Sequence, residues 1–267
     1  MHLTSLLLFG VLANPWHAID AANALVVDTT KGRVVVALEP ALAPNAVERV
    51  KRLARMHVYD GLLMWRVVDR PGFNFVQTGD PHNHDGDRSM LPDLRAEFSA
   101  NIPAARIRFV RKGLAPEGFL DVLPVAASFS AGTPRVWGAY CDGVMGMGRE
   151  RDADSANAEI FFMRGTTRNF DHDYTVVGRI VAGLDAIRAA AVGVPPAHPD
   201  RMLRVRVLGD MPASARPFIE VLDPRSADFD RLVTAARRAR GADFSGCDVS
   251  VPVRIRAGAG DAAQLMY

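Results

Sequence analysis

The fold of this chain is decided by the stretch Tyr59-Asp60-Gly61-Leu62-Leu63-Met64-Trp65-Arg66-Val67-Val68, which is followed by Phe75-Val76-Gln77-Thr78-Gly79-Asp80-Pro81. Val, Trp, Phe and Met around Arg66 favour half-buried strands, and the second run ends before a Gly-Asp-Pro turn. We therefore predict two short strands on which Arg66 and Gln77 share one sheet face. A lone strand arginine more often lies along the surface with its head in water, so spacing alone does not make Arg66 functional.

The amino-acid sequences of these two runs closely resemble the signature tract of the cyclophilin-type peptidyl-prolyl isomerases. Further resemblances follow in the order of the family between about residues 25 and 192. They are an opening hairpin (residues 25–38), a first helix (43–54), a Glu97-Phe98 turn, the run Gly143-Val144-Met145-Gly146-Met147-Gly148-Arg149, the run Ser155-Ala156-Asn157-Ala158-Glu159-Ile160-Phe161-Phe162, and a closing strand and turn (171–183). The shared order makes a coincidence improbable.

The resemblance implies a mainly β fold, a closed eight-stranded antiparallel barrel capped by two helices. Residue patterns predict helices at 43–56, 185–191 and 228–240, and many short strands elsewhere. We assign residues 25–195 to the cyclophilin-like isomerase domain. Two regions depart from a minimal member of the family: a β-rich insertion at about residues 99–142, expected to form an added hairpin from runs 106–110 and 119–125, and a C-terminal extension at 196–267.

Composition describes an ordinary globular chain of 267 residues, 49% apolar, with 32 basic and 30 acidic residues. The net charge of +2 argues against a nucleic-acid partner, because phosphate binding depends on clustered positive charge. The apolar run at residues 3–13 is too short to span a bilayer, and we expect no stable membrane insertion. We expect a monomer.

The N-terminus resembles a secretory signal peptide, since an apolar run is followed by Ala22-Asn23-Ala24, an Ala-x-Ala cleavage site. We therefore expect residues 1–24 to be removed and the mature protein to be periplasmic. His2 is the only candidate for a positive charge before the apolar run. In an oxidising compartment Cys141 and Cys247 could form a bridge, which would contribute on the order of 4 to 5 kcal/mol. Two unconnected thiols are the equal alternative.

The family resemblance implies isomerisation of X-Pro peptide bonds in proline-containing polypeptide clients, without metal or other cofactor. Arg66 is the candidate catalytic residue, because a guanidinium can donate a hydrogen bond to the prolyl nitrogen as the bond twists. Gln77 would hold the substrate carbonyl, and Gly148 would contribute backbone contacts. The apolar pocket for the proline ring carries over onto Met147, Phe161 and either Phe73 or Phe75, because counting from Pro71-Gly72 favours Phe73 and counting back from Gln77 favours Phe75.

Two substrate-binding positions depart from the family. Tyr174 stands at the family's groove histidine and can offer a ring edge and a hydroxyl. Glu159 stands at a common glutamine, where a carboxylate near Arg66 could orient the guanidinium or compete for it. The family's loop tryptophan falls on Asn169, which puts cyclosporin sensitivity more in doubt than activity.

Two rival interpretations remain. The segment Gly79-Asp80-Pro81-His82-Asn83-His84-Asp85-Gly86-Asp87 gathers potential metal ligands, but a solvated loop explains it better, and we predict no metal site. The stronger rival is a non-catalytic peptide-binding or chaperone module that keeps the fold. Arg66 and Gln77 favour the enzyme, while Glu159 and the long insertion favour some change of function.

Overall fold

The computed structural model describes residues 14–79, 91–129 and 133–256 of the chain. These residues form three α-helices and sixteen strands within the described ranges. In chain order they are β1 (Trp16–Ala18), β2 (Ala24–Thr29), β3 (Gly32–Leu38), α1 (Pro44–Arg55), β4 (Arg66–Arg70), β5 (Phe73–Thr78), β6 (Ala100–Asn101), β7 (Ile107–Arg111), β8 (Glu117–Leu120), β9 (Leu123–Ser128), β10 (Arg135–Gly138), β11 (Val144–Met147), β12 (Ile160–Met163), β13 (Val176–Ala182), α2 (Leu184–Arg188), β14 (Met202–Val207), β15 (Phe218–Leu222), α3 (Ala227–Arg240) and β16 (Val253–Arg256).

Eight of these strands form one antiparallel sheet in the order β14-β2-β3-β13-β11-β12-β5-β4. This confirms the predicted mainly β fold with eight strands and few helices. The word "closed" needs correction, because β14 and β4 are the two edges of the sheet and are not paired as a continuous ladder. Close to where the chain enters these strands, the edges are joined by an isolated Leu63–Arg201 bridge and by backbone hydrogen bonds from Met64 N to Asp200 O (2.8 Å) and from Gly61 N to Met202 O (2.7 Å).

The inner face of the curled sheet forms the main core together with α1. Val47, Val50, Leu53 and Ala54 lie on one side of α1 and are buried in this core, as their three-and-four spacing predicts. Pro44 begins the helix, where its missing N–H costs no hydrogen bond. The carboxylate of Glu97 accepts hydrogen bonds from the backbone N–H groups of Asn45 and Ala46, and so satisfies the exposed end of the helix.

The insertion forms a five-stranded antiparallel sheet, β6-β10-β9-β8-β7, rather than the single added hairpin that we expected. Residues 119–125, which we expected to form one strand, contain a tight turn instead, and Asp121 at this turn has φ of +52°. Strands β8 and β9 therefore fold back on each other, with Leu120 paired to Leu123. Alternating apolar residues on both sides of so short a turn look continuous in the sequence, which explains the error.

The predicted boundary at residue 195 cuts through the main sheet. Strand β14 pairs along β2, so the eight-stranded unit extends to Val207. Beyond it, β15 pairs with β16 and with β1 in a separate three-stranded sheet, and Phe229 of α3 packs against Phe119 of the insertion. The C-terminal extension thus contacts the insertion rather than hanging free.

Several buried polar contacts connect the insertion, the extension and the main sheet. The buried carboxylate of Glu117 accepts hydrogen bonds from Arg168 Nη1 (2.7 Å) and from the backbone N–H of Gly246 (2.6 Å). Arg179 donates to Val122 O and to Ser250 Oγ, and burial lowers its pKa to about 10. Cys141 and Cys247 form a disulfide with Cα atoms 5.1 Å apart, which decides the open question about these thiols.

The described part of the N-terminus belongs to the fold. Strand β1 pairs with β15, the guanidinium of Arg254 lies 3.6 Å from the ring centroid of Trp16, and Ala24 is fully buried in β2. Cleavage after Ala24 stays a prediction, but it would remove β1 from its sheet. Across the described residues, no helix has the length and apolar character needed to cross a membrane.

Candidate functional site

The hairpin of β4 and β5 brings Arg66 and Gln77 together on the outer face of the curled sheet. The two residues are directly opposite each other in the antiparallel register, so their side chains extend from the same face. Nη1 of Arg66 donates a hydrogen bond of 3.1 Å to Oε1 of Gln77. Both residues are half-buried.

Beside the guanidinium lies a cluster of aromatic rings that we call the aromatic pocket: Phe75, Phe161, Phe170 and Tyr174. The Cζ atom of Arg66 lies 5.1 Å from the ring centroid of Phe75. Ring centroids within the pocket are 6.1 Å apart for Phe75 and Phe161, 5.5 Å for Phe161 and Tyr174, and 4.9 Å for Phe170 and Tyr174. Phe75, Phe161 and Phe170 are almost completely buried and Tyr174 is half-buried, so the rings form a closely packed aromatic surface beside the charged fork of Arg66.

The geometry separates the two candidate phenylalanines on β5. Phe75 lies one step along the same face from Gln77 and directly under Arg66. Phe73 lies one step further, behind Phe75 at 5.1 Å between ring centroids, and packs against Phe170. Counting back from Gln77 therefore identifies the ring that borders the guanidinium, and Phe73 supports it from behind.

Met147 does not belong to the pocket wall, which corrects the sequence-based expectation. It pairs with Ile160 on β12, while Gly146 pairs with Phe161. Because side chains alternate along a strand, Met147 is on the opposite face from Phe161. Its side chain is 1% exposed and packs in the inner core.

Glu159 and Gly148 lie next to each other beside Gln77. Nε2 of Gln77 donates a hydrogen bond to Oε1 of Glu159, so the amide of Gln77 stands between Arg66 and the carboxylate. The backbone N–H of Gly148 donates to the backbone carbonyl of Glu159 at 2.8 Å. A Cβ atom at position 148 would lie 2.7 Å from Cγ of Glu159, so glycine leaves the room in which this side chain lies.

Tyr174 closes the far side of the pocket. Its ring lies beneath the guanidinium of Arg149, with 4.9 Å between Arg149 Cζ and the ring centroid. Nε of Arg149 also donates to the backbone carbonyl of Asp173 at 2.8 Å, which holds the arginine across the ring. Arg149 therefore presents a second positive charge at the rim of the pocket.

Sequence reasoning missed Phe170 and Tyr140. Phe170 contacts every other ring of the pocket, and its place beside Asn169, where the family's loop tryptophan falls, was the signal available. Tyr140 stacks on Phe161 with ring centroids 5.7 Å apart. Its hydroxyl is buried without a hydrogen-bond partner among the described residues, and burial raises the pKa of this phenol. No sequence pattern around Tyr140 indicated that it contacts the pocket, because it lies in the segment interpreted as an insertion.

The segment from residue 80 to 87, which gathers the histidines and aspartates weighed as metal ligands, lies outside the described residues. Within the described ranges, no group of three or more His, Cys, Asp or Glu side chains is arranged to hold a metal ion.

Comparison with known proteins agrees with this fold. The family described as cyclophilin type peptidyl-prolyl cis-trans isomerase/CLD matches residues 24–207. Proteins named "probable peptidyl-prolyl cis-trans isomerase" from Brucella suis and Brucella abortus are each 28% identical over 209 residues, which cover 72% of this chain and 86% of theirs. The crystal structure of cyclophilin AquaCyp293 from Hirschia baltica superposes with a TM-score of 0.83 at 25% identity, covering 96% of this chain and 99% of that one.

The fold and the matched sequence therefore define a cyclophilin-like protein. This chain belongs to the cyclophilin-type peptidyl-prolyl cis-trans isomerases, and the prediction of that family and of its isomerase activity is confirmed. The match ends at Val207, where the eight-stranded unit also ends.

Proposed function

We propose that this protein accelerates rotation about X-Pro bonds in exported polypeptide clients, with Arg66 donating a hydrogen bond to the prolyl nitrogen and the aromatic pocket holding the proline ring. One observation carries the proposal: the guanidinium of Arg66 lies over Phe75, at the border of the pocket, while Gln77 holds it by a hydrogen bond.

The chemistry requires no bond to be made or broken. Rotation about a peptide bond is opposed by about 18 to 20 kcal/mol, because the nitrogen lone pair is delocalised into the carbonyl. In the twisted state the lone pair returns to the prolyl nitrogen, which becomes a better hydrogen-bond acceptor. A donor that is already in place stabilises that state more than either planar isomer, and so lowers the barrier.

The side chains divide this task between them. Phe75, Phe161, Phe170 and Tyr174 hold the proline ring, so that rotation moves the remainder of the chain relative to it. Oε1 of Gln77 accepts from Arg66, which leaves the amide N–H groups on the other side of Gln77 facing Glu159 and the groove. The backbone around Gly148 and the guanidinium of Arg149 border the groove, where an extended substrate chain would run.

The experiment is an isomerisation assay with a short Xaa-Pro peptide. Wild type should accelerate exchange without added metal, and Arg66→Ala should lower kcat/KM by about 100-fold or more, the range seen when one transition-state donor is removed. Arg66→Lys should also be poor, because an ammonium lacks the planar fork. Arg70→Ala is the matched control, since Arg70 lies on the same strand and the same face as Arg66 and is exposed.

The outcomes separate the two rival functions. Wild-type activity that survives in a well-folded Arg66→Ala protein would contradict the assignment of Arg66. A wild-type protein that binds the peptide without accelerating exchange would favour a peptide-binding or chaperone module on the same fold.

Export is the second part of the proposal, and two observations support it. The apolar run at residues 3–13 has the character of a leader, and the Cys141–Cys247 disulfide suits an oxidising compartment such as the periplasm. Because β1 is paired with β15, a cut upstream of Trp16 would keep β1 in its sheet, whereas the predicted cut after Ala24 would remove it. N-terminal sequencing of the native protein locates the processing site.

A further inference from the structure

We infer that Glu159 is a positioning residue, which acts through Gln77 to hold the guanidinium of Arg66 ready for the substrate. The inference rests on the proposed function and adds to it a carboxylate that does not itself touch the reacting atoms. Its structural basis is a chain of two hydrogen bonds: Arg66 Nη1 donates to Gln77 Oε1, and Gln77 Nε2 donates to Glu159 Oε1.

The two hydrogen bonds require the same orientation of the Gln77 side-chain amide. A guanidinium only donates, so it must face the oxygen of Gln77, and an ionised carboxylate only accepts, so it must face the nitrogen. Turning the amide over would place NH₂ against the guanidinium and oxygen against the carboxylate, two repulsive contacts. A glutamine at position 159 could accommodate either orientation, because its own amide can also turn over.

The carboxylate also strengthens the contact with Arg66. Hydrogen bonds in a chain polarise one another, so an amide that donates to a negative charge becomes a better acceptor at its oxygen. Glu159 is 7% exposed, and this burial increases the effect because little water screens the charge. Arg66 is held through a neutral amide, so its remaining N–H groups stay available for the prolyl nitrogen.

The surrounding backbone is built to admit this side chain. Gly148 leaves the space occupied by Cγ of Glu159, and a Cβ atom at Gly79 would lie 2.6 Å from Cα of Glu159. Gly148 and Glu159 are also joined by a backbone hydrogen bond of 2.8 Å. Gly148 and Gly79 thus lie on either side of Glu159, and both approach it closely where its carboxylate contacts Gln77.

This arrangement also separates the two roles that the sequence left open for Glu159. A carboxylate that competed for Arg66 would bind the guanidinium directly and occupy its donors. Here the carboxylate binds the amide that binds the guanidinium, which is the arrangement expected for orientation.

A double-mutant cycle on kcat/KM tests the chain of contacts. Glu159→Gln should lower kcat/KM by about fivefold, the effect of removing a charge from one hydrogen bond, and Gln77→Ala should lower it further. In the Gln77→Ala background, Glu159→Gln should then have a much smaller effect, because the chain of hydrogen bonds from Glu159 to Arg66 is interrupted. Independent losses that multiply in the double variant would overturn the inference, as would a rise in activity of Glu159→Gln.

A second measurement does not depend on activity. In NMR spectra the side-chain amide protons of Gln77, assigned by their loss in Gln77→Ala, should shift when Glu159 is changed to Gln. Glu48→Gln is the control, since Glu48 has an exposed side chain on α1, and it should leave both the spectra of Gln77 and kcat/KM unchanged. Melting temperatures show whether each variant is folded.

The two readouts distinguish failure of the inference from failure of the proposed function. If the Gln77 side-chain resonances do not shift in Glu159→Gln, the proposed pair of hydrogen bonds is wrong, whatever the activity. Shifted resonances in a wild-type protein without isomerase activity would uphold the contact chain and reject the proposed catalysis.

Discussion

The two faces of strands β5, β11 and β12 differ in what they do, although neighbouring residues supply them. The inner face carries Val76, Met147 and Phe162, which are almost completely buried in a core shared with α1. The outer face carries Phe75, Gly146 and Phe161, which pack against rings and against the insertion. A shift of one residue in a strand moves a side chain from one face to the other.

The comparison teaches that residue type is a weaker guide to function than position along the strand. Met147 and Phe161 are both large, apolar and buried, and both lie in runs that resemble the family. Only register shows that Met147 faces the core and that Phe161 faces Arg66 and Tyr174. Before a strand residue is assigned to a pocket wall from sequence, the face of the sheet on which its side chain lies must be established.

The largest effect should come from removing the disulfide that ties the outer layer together. Cys141 packs in the same cluster as Phe161, and its bridge closes a separation of 106 residues to Cys247 in the extension. The double variant Cys141→Ala, Cys247→Ala should lose about 4 kcal/mol of unfolding free energy, because its unfolded chain is less constrained. Urea denaturation followed by tryptophan fluorescence measures the loss.

Reduced wild type should match this double variant, and the variant itself should not respond to reductant. If reduction left the denaturation midpoint of wild type unchanged, the extension would be held by its other contacts and the outer layer would not depend on the bridge.

Replacing a buried tyrosine on each face by phenylalanine should have a smaller effect on the free energy of unfolding, with opposite sign on the two faces. Tyr140→Phe on the outer side should raise the free energy of unfolding by about 1 kcal/mol, because it removes a hydroxyl that is buried without a partner among the described residues. Tyr59→Phe in the inner core should lower it by about 1 kcal/mol, since the Tyr59 hydroxyl donates to Ala158 O at 3.0 Å.

Thermal and urea unfolding of the two variants provide the comparison, with each serving as the control for the other. A loss of stability in Tyr140→Phe equal to that in Tyr59→Phe would mean that the Tyr140 hydroxyl has a partner, such as bound water.

Local patterns in the sequence predicted the helices and the Arg66–Gln77 hairpin, whereas the family resemblance implied the eight-stranded architecture. The three helices begin and end within three residues of their expected positions, because spacing, Pro44 and the Gly183 and Gly241 positions mark their ends. Arg66 and Gln77 were placed on one face because two strands joined by a short turn leave few alternative registers. These features depend on neighbours in the chain, which a sequence displays directly.

Several of the remaining errors have a different cause, since they depend on contacts between distant segments. β14, an edge strand of the main sheet, pairs with β2, which is far from it in the sequence. Local patterns around residue 195 therefore could not show that the sheet continues beyond that residue. Tyr140 reaches the pocket through the disulfide-linked turn beside the insertion, and Phe170 through a loop without a recognisable period. The interposition of Gln77 between Arg66 and Glu159 likewise requires three strands in register.

The central claim, that the outer face rather than the inner face of the sheet carries the chemistry, is tested most directly by measuring X-Pro isomerisation with Phe161→Leu beside Met147→Leu. Both changes keep an apolar side chain at adjacent strands of one sheet. Met147→Leu should keep kcat/KM within about twofold, because a similar volume is tolerated in the core, whereas Phe161→Leu should lower it by about tenfold or more, since an aromatic wall of the pocket is lost. A larger loss of kcat/KM in Met147→Leu than in Phe161→Leu, with both proteins folded, would contradict the account.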